Sequence, residues 1–166
     1  MLPISLDPQK VRVGLAGHGE ALERRLSMLC AGGVEPVRVA ADARALDGLT
    51  LLYIAGLETD DTAALARRAR SAGVLVNVED RPELCDFHVP AIVRRGDLAF
   101  TVSTSGRAPG LARRLREWLE QHFGTEWDGR LEELGSARNR LRAEGVPAGE
   151  ISERARQVID QEGWLP

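Results

Sequence analysis

A chain of 166 residues can bury one good core, or one core and a small helical appendage. With 43% hydrophobic and 28% charged residues and a net charge of −3, it gives no electrostatic reason to expect nucleic acid or a membrane surface as partner. Cys30 and Cys85 stand outside any CxxC spacing, and the N-terminus lacks the basic and apolar regions of a signal peptide, so a reduced, cytoplasmic setting is expected.

Apolar runs alternate with helical patterns through the first two-thirds, the mark of βαβ units. Residues 11–16 read as a buried strand ending in Gly17-His18-Gly19. Across residues 20–31, Ala21, Leu22, Leu26 and Leu29 recur at helical spacing, and Gly32-Gly33 supplies a stop. Residues 36–41 and 51–55 read as the next two strands, with Asp47-Gly48 in the loop between them. Asp60-Asp61-Thr62 caps a helix that runs to about residue 72 and stops at Gly73. Residues 74–78 give a fourth strand, residues 83–90 look irregular, and residues 92–93 and 98–103 give one or two more strands around Arg95-Gly96-Asp97.

The expected fold class is α/β: a Rossmann-like, mostly parallel sheet of four or five strands with right-handed helical crossovers, followed by a small C-terminal helical region. In that region Pro109 opens a helix through Leu111, Leu115, Trp118 and Leu119, and residues 127–144 and 147–162 predict two more. The stripe of Leu131, Leu134 and Leu141 is too narrow for a self-sufficient three-helix core. These helices are expected to pack on the sheet domain or on a second subunit, which makes a homodimer the working expectation.

Gly17 and Gly19 close the first strand where a dinucleotide's pyrophosphate usually sits. Phosphate binding there needs glycines for a tight turn and close approach, and free N–H groups at the following helix start. The turn matches two glycines of GxGxxG; Leu22 takes the third place, and Ala21 is placed to do that packing job. Candidate cofactor-binding residues are Gly17, His18, Gly19, Glu20, Ala21 and Asp42. Asp42 lies near the spacing of a ribose-binding acid, which favours NAD over NADP; a helix cap or solvated loop acid fits it equally well. A tight turn without ligand is the alternative for the glycines.

Asp80 follows the fourth strand directly, at the edge where open α/β sheets bind ligands. A carboxylate there could accept a proton in an oxidation or help a metal into a macrocycle, although spacing alone favours a cap for the turn before Pro82. His18, His88 and His122 are scattered, so no preformed metal site is expected. Ser103, Thr104, Ser105, Gly106 and Arg107 lack the GxSxG elbow of a nucleophile and better suit binding carboxylates or phosphate beside the Pro109 helix. Arg94, Arg95, Arg113 and Arg114 lie near them in sequence, a pattern that by default is a solvated basic face.

Several blocks together resemble one family: Met1-Leu2-Pro3-Ile4, Gly17-His18-Gly19-Glu20, Asn77-Val78-Glu79-Asp80-Arg81-Pro82-Glu83-Leu84-Cys85-Asp86-Phe87, Pro90-Ala91-Ile92-Val93-Arg94-Arg95-Gly96 and Ser103-Thr104-Ser105-Gly106-Arg107-Ala108-Pro109-Gly110-Leu111-Ala112-Arg113. The family is precorrin-2 dehydrogenase / sirohydrochlorin ferrochelatase, also found as the N-terminal module of siroheme synthases. The resemblance runs from residue 1 to about 120. It implies an NAD-binding Rossmann domain, a dimerising helical region, and NAD-dependent oxidation of precorrin-2 to sirohydrochlorin. Many members then insert ferrous iron, as a substrate, to give siroheme. The family's essential aspartate falls on Asp80, its glycine-rich turn on Gly17 to Gly19 and its hydroxyl-rich loop on Ser103 to Gly106.

The chain departs from the pattern in three places, all in the cofactor half. His18 interrupts a run of three glycines, the stretch from Ala41 to Leu51 is shorter by about a strand and a helix, and residues are inserted between Ala55 and Asp61. The division implied is a shortened Rossmann-like NAD-binding domain over 1–106 and a helical dimerisation and substrate region over 107–166. The leading expectation is an NAD-dependent precorrin-2 dehydrogenase in which Asp80 is catalytic and residues 103–107 hold the tetrapyrrole's carboxylates. The alternatives are a chelatase that has lost NAD binding and a non-catalytic tetrapyrrole-binding protein.

Overall fold

The computed structural model describes residues 2–165, which fall into two compact units that meet between Val89 and Pro90. The first unit contains strand β1 (Val13–Gly17), helix α1 (Gly19–Ala31), strands β2 (Val37–Val39) and β3 (Leu51–Ala55), helix α2 (Thr59–Ser71) and strand β4 (Leu75–Val78). All four strands are parallel, in the order β2-β1-β3-β4, with Gly14 opposite both Val37 and Leu52, and Tyr53 opposite Asn77.

The two-residue period of the strands sorts their side chains onto two faces. Val13, Leu15, Leu51 and Tyr53 pack with Leu22 and Leu29 of α1. Ala16, Leu52, Ile54, Val76 and Val78 pack with Leu65, Ala66 and Ala69 of α2. Because both faces are covered, the strands read as unbroken apolar runs rather than alternating ones. Leu65 is fully buried, and its truncation to Ala would cost about 2–5 kcal/mol.

No helix joins β2 to β3; residues 40–50 make that crossing as turns and loop. The loop is fixed from below by Leu46, which enters the core on the α2 face, and by Arg68 of α2. Arg68 donates from Nε to Ala43 O at 3.0 Å and from Nη2 to Ala41 O at 2.6 Å. With β2 on one side of β1 and β3 on the other, α1 and α2 cover opposite faces of the sheet. β1 is therefore the switch point, and a crevice opens at its carboxyl end.

The second unit differs from expectation. The strands expected to extend the parallel sheet, β5 (Ala91–Arg95) and β6 (Leu98–Val102), pair only with each other, antiparallel. The Gly96-Asp97 link, with Gly96 at φ +56°, is too short for anything but a hairpin, since parallel strands need a dozen or more connecting residues. This hairpin packs against α3 (Pro109–His122) and α4 (Glu126–Ala143), and α5 (Ala148–Gln161) packs on α4. The expected division at residue 106 thus moves to the Val89–Pro90 bond, because the hairpin belongs with the helices.

Val93 and Ile151 are buried in this unit, and a chain of half-buried rings links its elements: Phe100 against Phe123 at 4.3 Å, Phe123 against Trp127 at 5.2 Å and Trp127 against Trp164 at 6.4 Å between centroids. The Arg130 guanidinium lies over both tryptophans. No helix among the described residues is long and apolar enough to cross a membrane.

Candidate dinucleotide turn and adjoining carboxylate

Gly17 is the last residue of β1, at φ +132°. A Cβ built there would stand 1.7 Å from Ala55 O, so the carboxyl end of β3 presses directly on the turn. The contact is mutual: a Cβ on Gly56, at φ +73°, would stand 2.3 Å from His18 O. Only glycine satisfies both positions, for reasons of space as well as of φ. His18 donates its backbone N–H to Ala55 O at 3.3 Å, so that donor is committed to the strand and not to a ligand.

His18 is the N-cap of α1, extended at φ −156°, and its side chain makes no capping bond. The first N–H groups of a helix have no partner within it. Those of Gly19, Glu20 and Ala21 are therefore the donors that face the crevice, backed by the positive end of the helix dipole. Nothing outside its own helix and chain neighbours lies within 4 Å of a Cβ built on Gly19. Glu20 is exposed and paired with Arg24 at 3.4 Å. Ala21 packs toward Gly56, its Cβ 3.6 Å from the Cβ position there, while Leu22 is buried in the core. A larger residue than Ala21 would push α1 off the end of β3.

Asp42 lies in the turn just after β2, exposed, at the same edge of the sheet as Gly17. Asp80 lies at that edge too, immediately beyond β4. Its backbone is left-handed at φ +59°, the third position of a turn closed by Arg81 N to Val78 O at 3.4 Å. Asp and Asn tolerate this conformation better than most residues. Glu79 anchors the turn from two sides: its N–H donates to Ile54 O at 3.0 Å, and its carboxylate meets Arg24 of α1 at 3.5 Å. Among the described residues no hydrogen bond or ion pair engages the exposed Asp80 carboxylate. With β1 and β4 separated only by β3, at a strand spacing of about 4.8 Å, the glycine turn and Asp80 are lateral neighbours on one edge.

The expected substrate residues Ser103, Thr104, Ser105, Gly106 and Arg107 belong to the second unit, in the loop between β6 and α3. Ser105 and Gly106 are both left-handed, at φ +54° and +76°. Much of the loop's hydroxyl capacity serves its own shape: Thr104 Oγ1 accepts Ala108 N and Ser103 Oγ accepts Ser105 N, both at 3.3 Å. The arginine cluster also sorts itself. Arg95 donates to Phe123 O and Glu120 O, closing the C-terminus of α3, while Arg113 and Arg114 pair with Glu117. Glu117 consequently has its carboxyl group held below the usual range, first by the Arg113 hydrogen bond. Arg107 is exposed.

No three His, Cys, Asp or Glu side chains converge on a metal-sized site among the described residues. The surface depressions lined by Arg44, Arg67 and Arg68, and by α4 and α5, include neither the glycine turn nor Asp80.

A family model described as "Putative NAD(P)-binding" matches residues 4–91. The chain belongs to that NAD(P)-binding family. Its relatives agree with the resemblance carried by the motifs. It is similar to the siroheme synthase of Methylococcus capsulatus, 34% identical over 150 residues, covering 75% of this chain and 32% of that protein. It is also similar to siroheme synthase 1 of Pectobacterium atrosepticum, 32% identical over 172 residues, covering 89% of this chain and 36% of the relative. The chain thus spans about a third of the length of these curated relatives. Among solved structures it matches SirC, precorrin-2 dehydrogenase, with a TM-score of 0.74 at 20% identity, covering 100% of this chain and 93% of the other. That match shows the Rossmann-like α/β fold.

The glycine turn and Asp80 stand at strand ends in the sequence as in the structure, but what holds them there has little local signal. The contact of Ala55 and Gly56 on the turn was visible only as a glycine directly after an apolar strand. The Arg24–Glu79 link had no sequence signal.

Proposed function

We propose that this chain binds NAD at Gly17–Ala21 and oxidises precorrin-2 to sirohydrochlorin, with Asp80 as the catalytic base. The observation that carries the reading is the uncapped start of α1 beside a glycine turn, on the same sheet edge as an uncommitted carboxylate. The residues fit a dinucleotide: the N–H groups of Gly19, Glu20 and Ala21 would hold the pyrophosphate, and Asp42 would take a ribose hydroxyl. Bound NAD supplies hydride acceptance. The overall change removes two hydrogens from the macrocycle, one as hydride and one as a proton. Asp80 takes the proton on a carboxylate oxygen, for which its lack of a competing partner suits it. Arg107 and the backbone around Ser105 and Gly106 would meet carboxylates of the substrate.

Ferrous iron enters this reading only as the substrate of a second step at the same carboxylate. A homodimer formed through the helical unit is supported by Leu111, Leu115 and Trp118, which are spaced to share one face of α3 and are all exposed. The function is tested anaerobically with purified protein and precorrin-2. Oxidation that requires NAD supports the proposal; a macrocycle left unchanged with NAD present refutes it. Sedimentation at micromolar concentration tests the dimer, and a clean monomer would count against it.

A further inference from the structure

After the Asp80 turn the chain does not leave β4. A short 3₁₀ turn, Pro82–Leu84, reverses it, and residues 85–87 return along the free edge of the strand. Asp86 N–H donates to Val76 O at 2.8 Å, and Val76 N–H donates to an Asp86 carboxylate oxygen at 2.9 Å. Arg70 of α2 holds the same carboxylate at 2.8 Å. Asn77, only 6% exposed, donates from Nδ2 to Phe87 O at 2.9 Å. Phe87 in turn meets the ring of Tyr53 edge-on at 5.3 Å. This stitching puts Cys85 under the turn that carries Asp80.

The Cys85 sulfur touches both ends of that turn. It accepts the Val78 N–H at 3.2 Å and lies 3.2 Å from Val78 O and 3.3 Å from Arg81 O, within reach of its own S–H. Asn77 Nδ2 lies 3.7 Å from it on the other side. Val78 and Arg81 are the first and last residues of the turn whose third is Asp80. Asp80 has a left-handed backbone and no side-chain bond of its own among the described residues, so its place is set by the turn whose end residues, Val78 and Arg81, Cys85 bridges.

We propose that Cys85, seated against the Asn77 amide, is a positioning residue that fixes the Asp80 carboxylate for proton abstraction. The assignment rests on Asp80 being the base. The sulfur provides one acceptor and one proton on a short side chain, which bridges the turn without adding a charge to the carboxylate's surroundings. Serine preserves both roles with a shorter reach; alanine preserves neither.

The test uses the whole chain with Cys85→Ala, Cys85→Ser, Asp80→Asn and the Cys85→Ala/Asp80→Asn double variant. Cys85→Ala is expected to lower kcat by about ten- to a hundredfold, the scale of a small misplacement of a catalytic group, while the Kd for NAD stays within about twofold. Cys85→Ser should recover most of the loss. In the Asp80→Asn background Cys85→Ala should change kcat no further, because the group being placed is already gone. In the substrate-free protein, amide exchange at Val78 and Arg81 should quicken in Cys85→Ala and stay unchanged at Gly19–Ala21. Parent-like kcat and exchange in Cys85→Ala, with Asp80→Asn slow, would overturn the assignment alone. Additive losses in the double variant would overturn it likewise, as would equal weakening of NAD binding and kcat, which marks a merely structural role. Full turnover by Asp80→Asn would instead overturn the proposed base, and the assignment with it.

Discussion

Replacing Gly17 with alanine tests the packing on which the dinucleotide turn depends. The added Cβ would lie 1.7 Å from Ala55 O and 2.7 Å from Ala55 C, both backbone atoms that cannot rotate away. Relief requires moving the end of β3, which is paired to β1 through Gly17 and Ala55 themselves. It also requires breaking the His18 N–H to Ala55 O bond, a loss of about 0.5–1.5 kcal/mol. Holding alanine at φ +132° adds about 1–3 kcal/mol of backbone strain. Together the substitution should remove about 2–4 kcal/mol of stability and displace the helix start that would meet the pyrophosphate. Gly19→Ala is the control, because Gly19 also has positive φ, at +69°, but nothing lies within 4 Å of its Cβ position. Left-handed strain alone gives it about 1–2 kcal/mol. Urea unfolding of both variants, followed by NAD titration of the folded proteins, reads the difference. Equal midpoints for the two variants, or NAD affinity in Gly17→Ala equal to that of the parent, would refute the close approach of β3 to this turn.

Asp86→Ala should destabilise the chain by about 1–3 kcal/mol in urea unfolding, because it strips the acceptor from Val76 N–H as well as from Arg70. Arg70→Ala should cost less, about 1 kcal/mol or below, since that pair is partly exposed and Asp86 keeps its backbone bond. Tyr53 is the chain's one tyrosine, and burial raises its phenol above the usual 10.0 while Arg25 partly opposes the rise. A raised folded value means that the folded state keeps its proton while the unfolded state loses it. The contribution to stability is therefore whole below pH 10 and drains away as pH climbs through the folded value. Urea midpoints of the parent should fall above that pH by more than those of Tyr53→Phe, with phenolate absorbance appearing late; parallel midpoints would contradict the burial argument.

The parallel sheet was legible because its apolar runs are unbroken and its helices carry clear stops, as at Gly33 and Gly73. The hairpin's partner is hidden because periodicity marks a strand without naming what it pairs with; the short Gly96-Asp97 link is the decisive signal. The boundary at Val89–Pro90 is hidden for the same reason. The ring contacts of the helical unit are illegible in sequence because Phe100, Phe123, Trp127 and Trp164 come from separate elements, and no local pattern joins them. At the site, Gly17 and Asp80 announced themselves by position at strand ends. Their supports, from Ala55 to Cys85, depend on which strands are neighbours, and that only the folded chain reveals.

In the proposed function one sheet edge supplies both the dinucleotide turn and the base. Its most direct test is anaerobic single turnover of precorrin-2 at saturating NAD, with sirohydrochlorin and NADH counted together, in the parent and in Asp80→Asn. The parent should form equal amounts of the two products, and Asp80→Asn should slow their formation about a hundredfold or more at undiminished NAD affinity. Products formed at the parent rate by Asp80→Asn, or none formed by the parent, would contradict the proposed function.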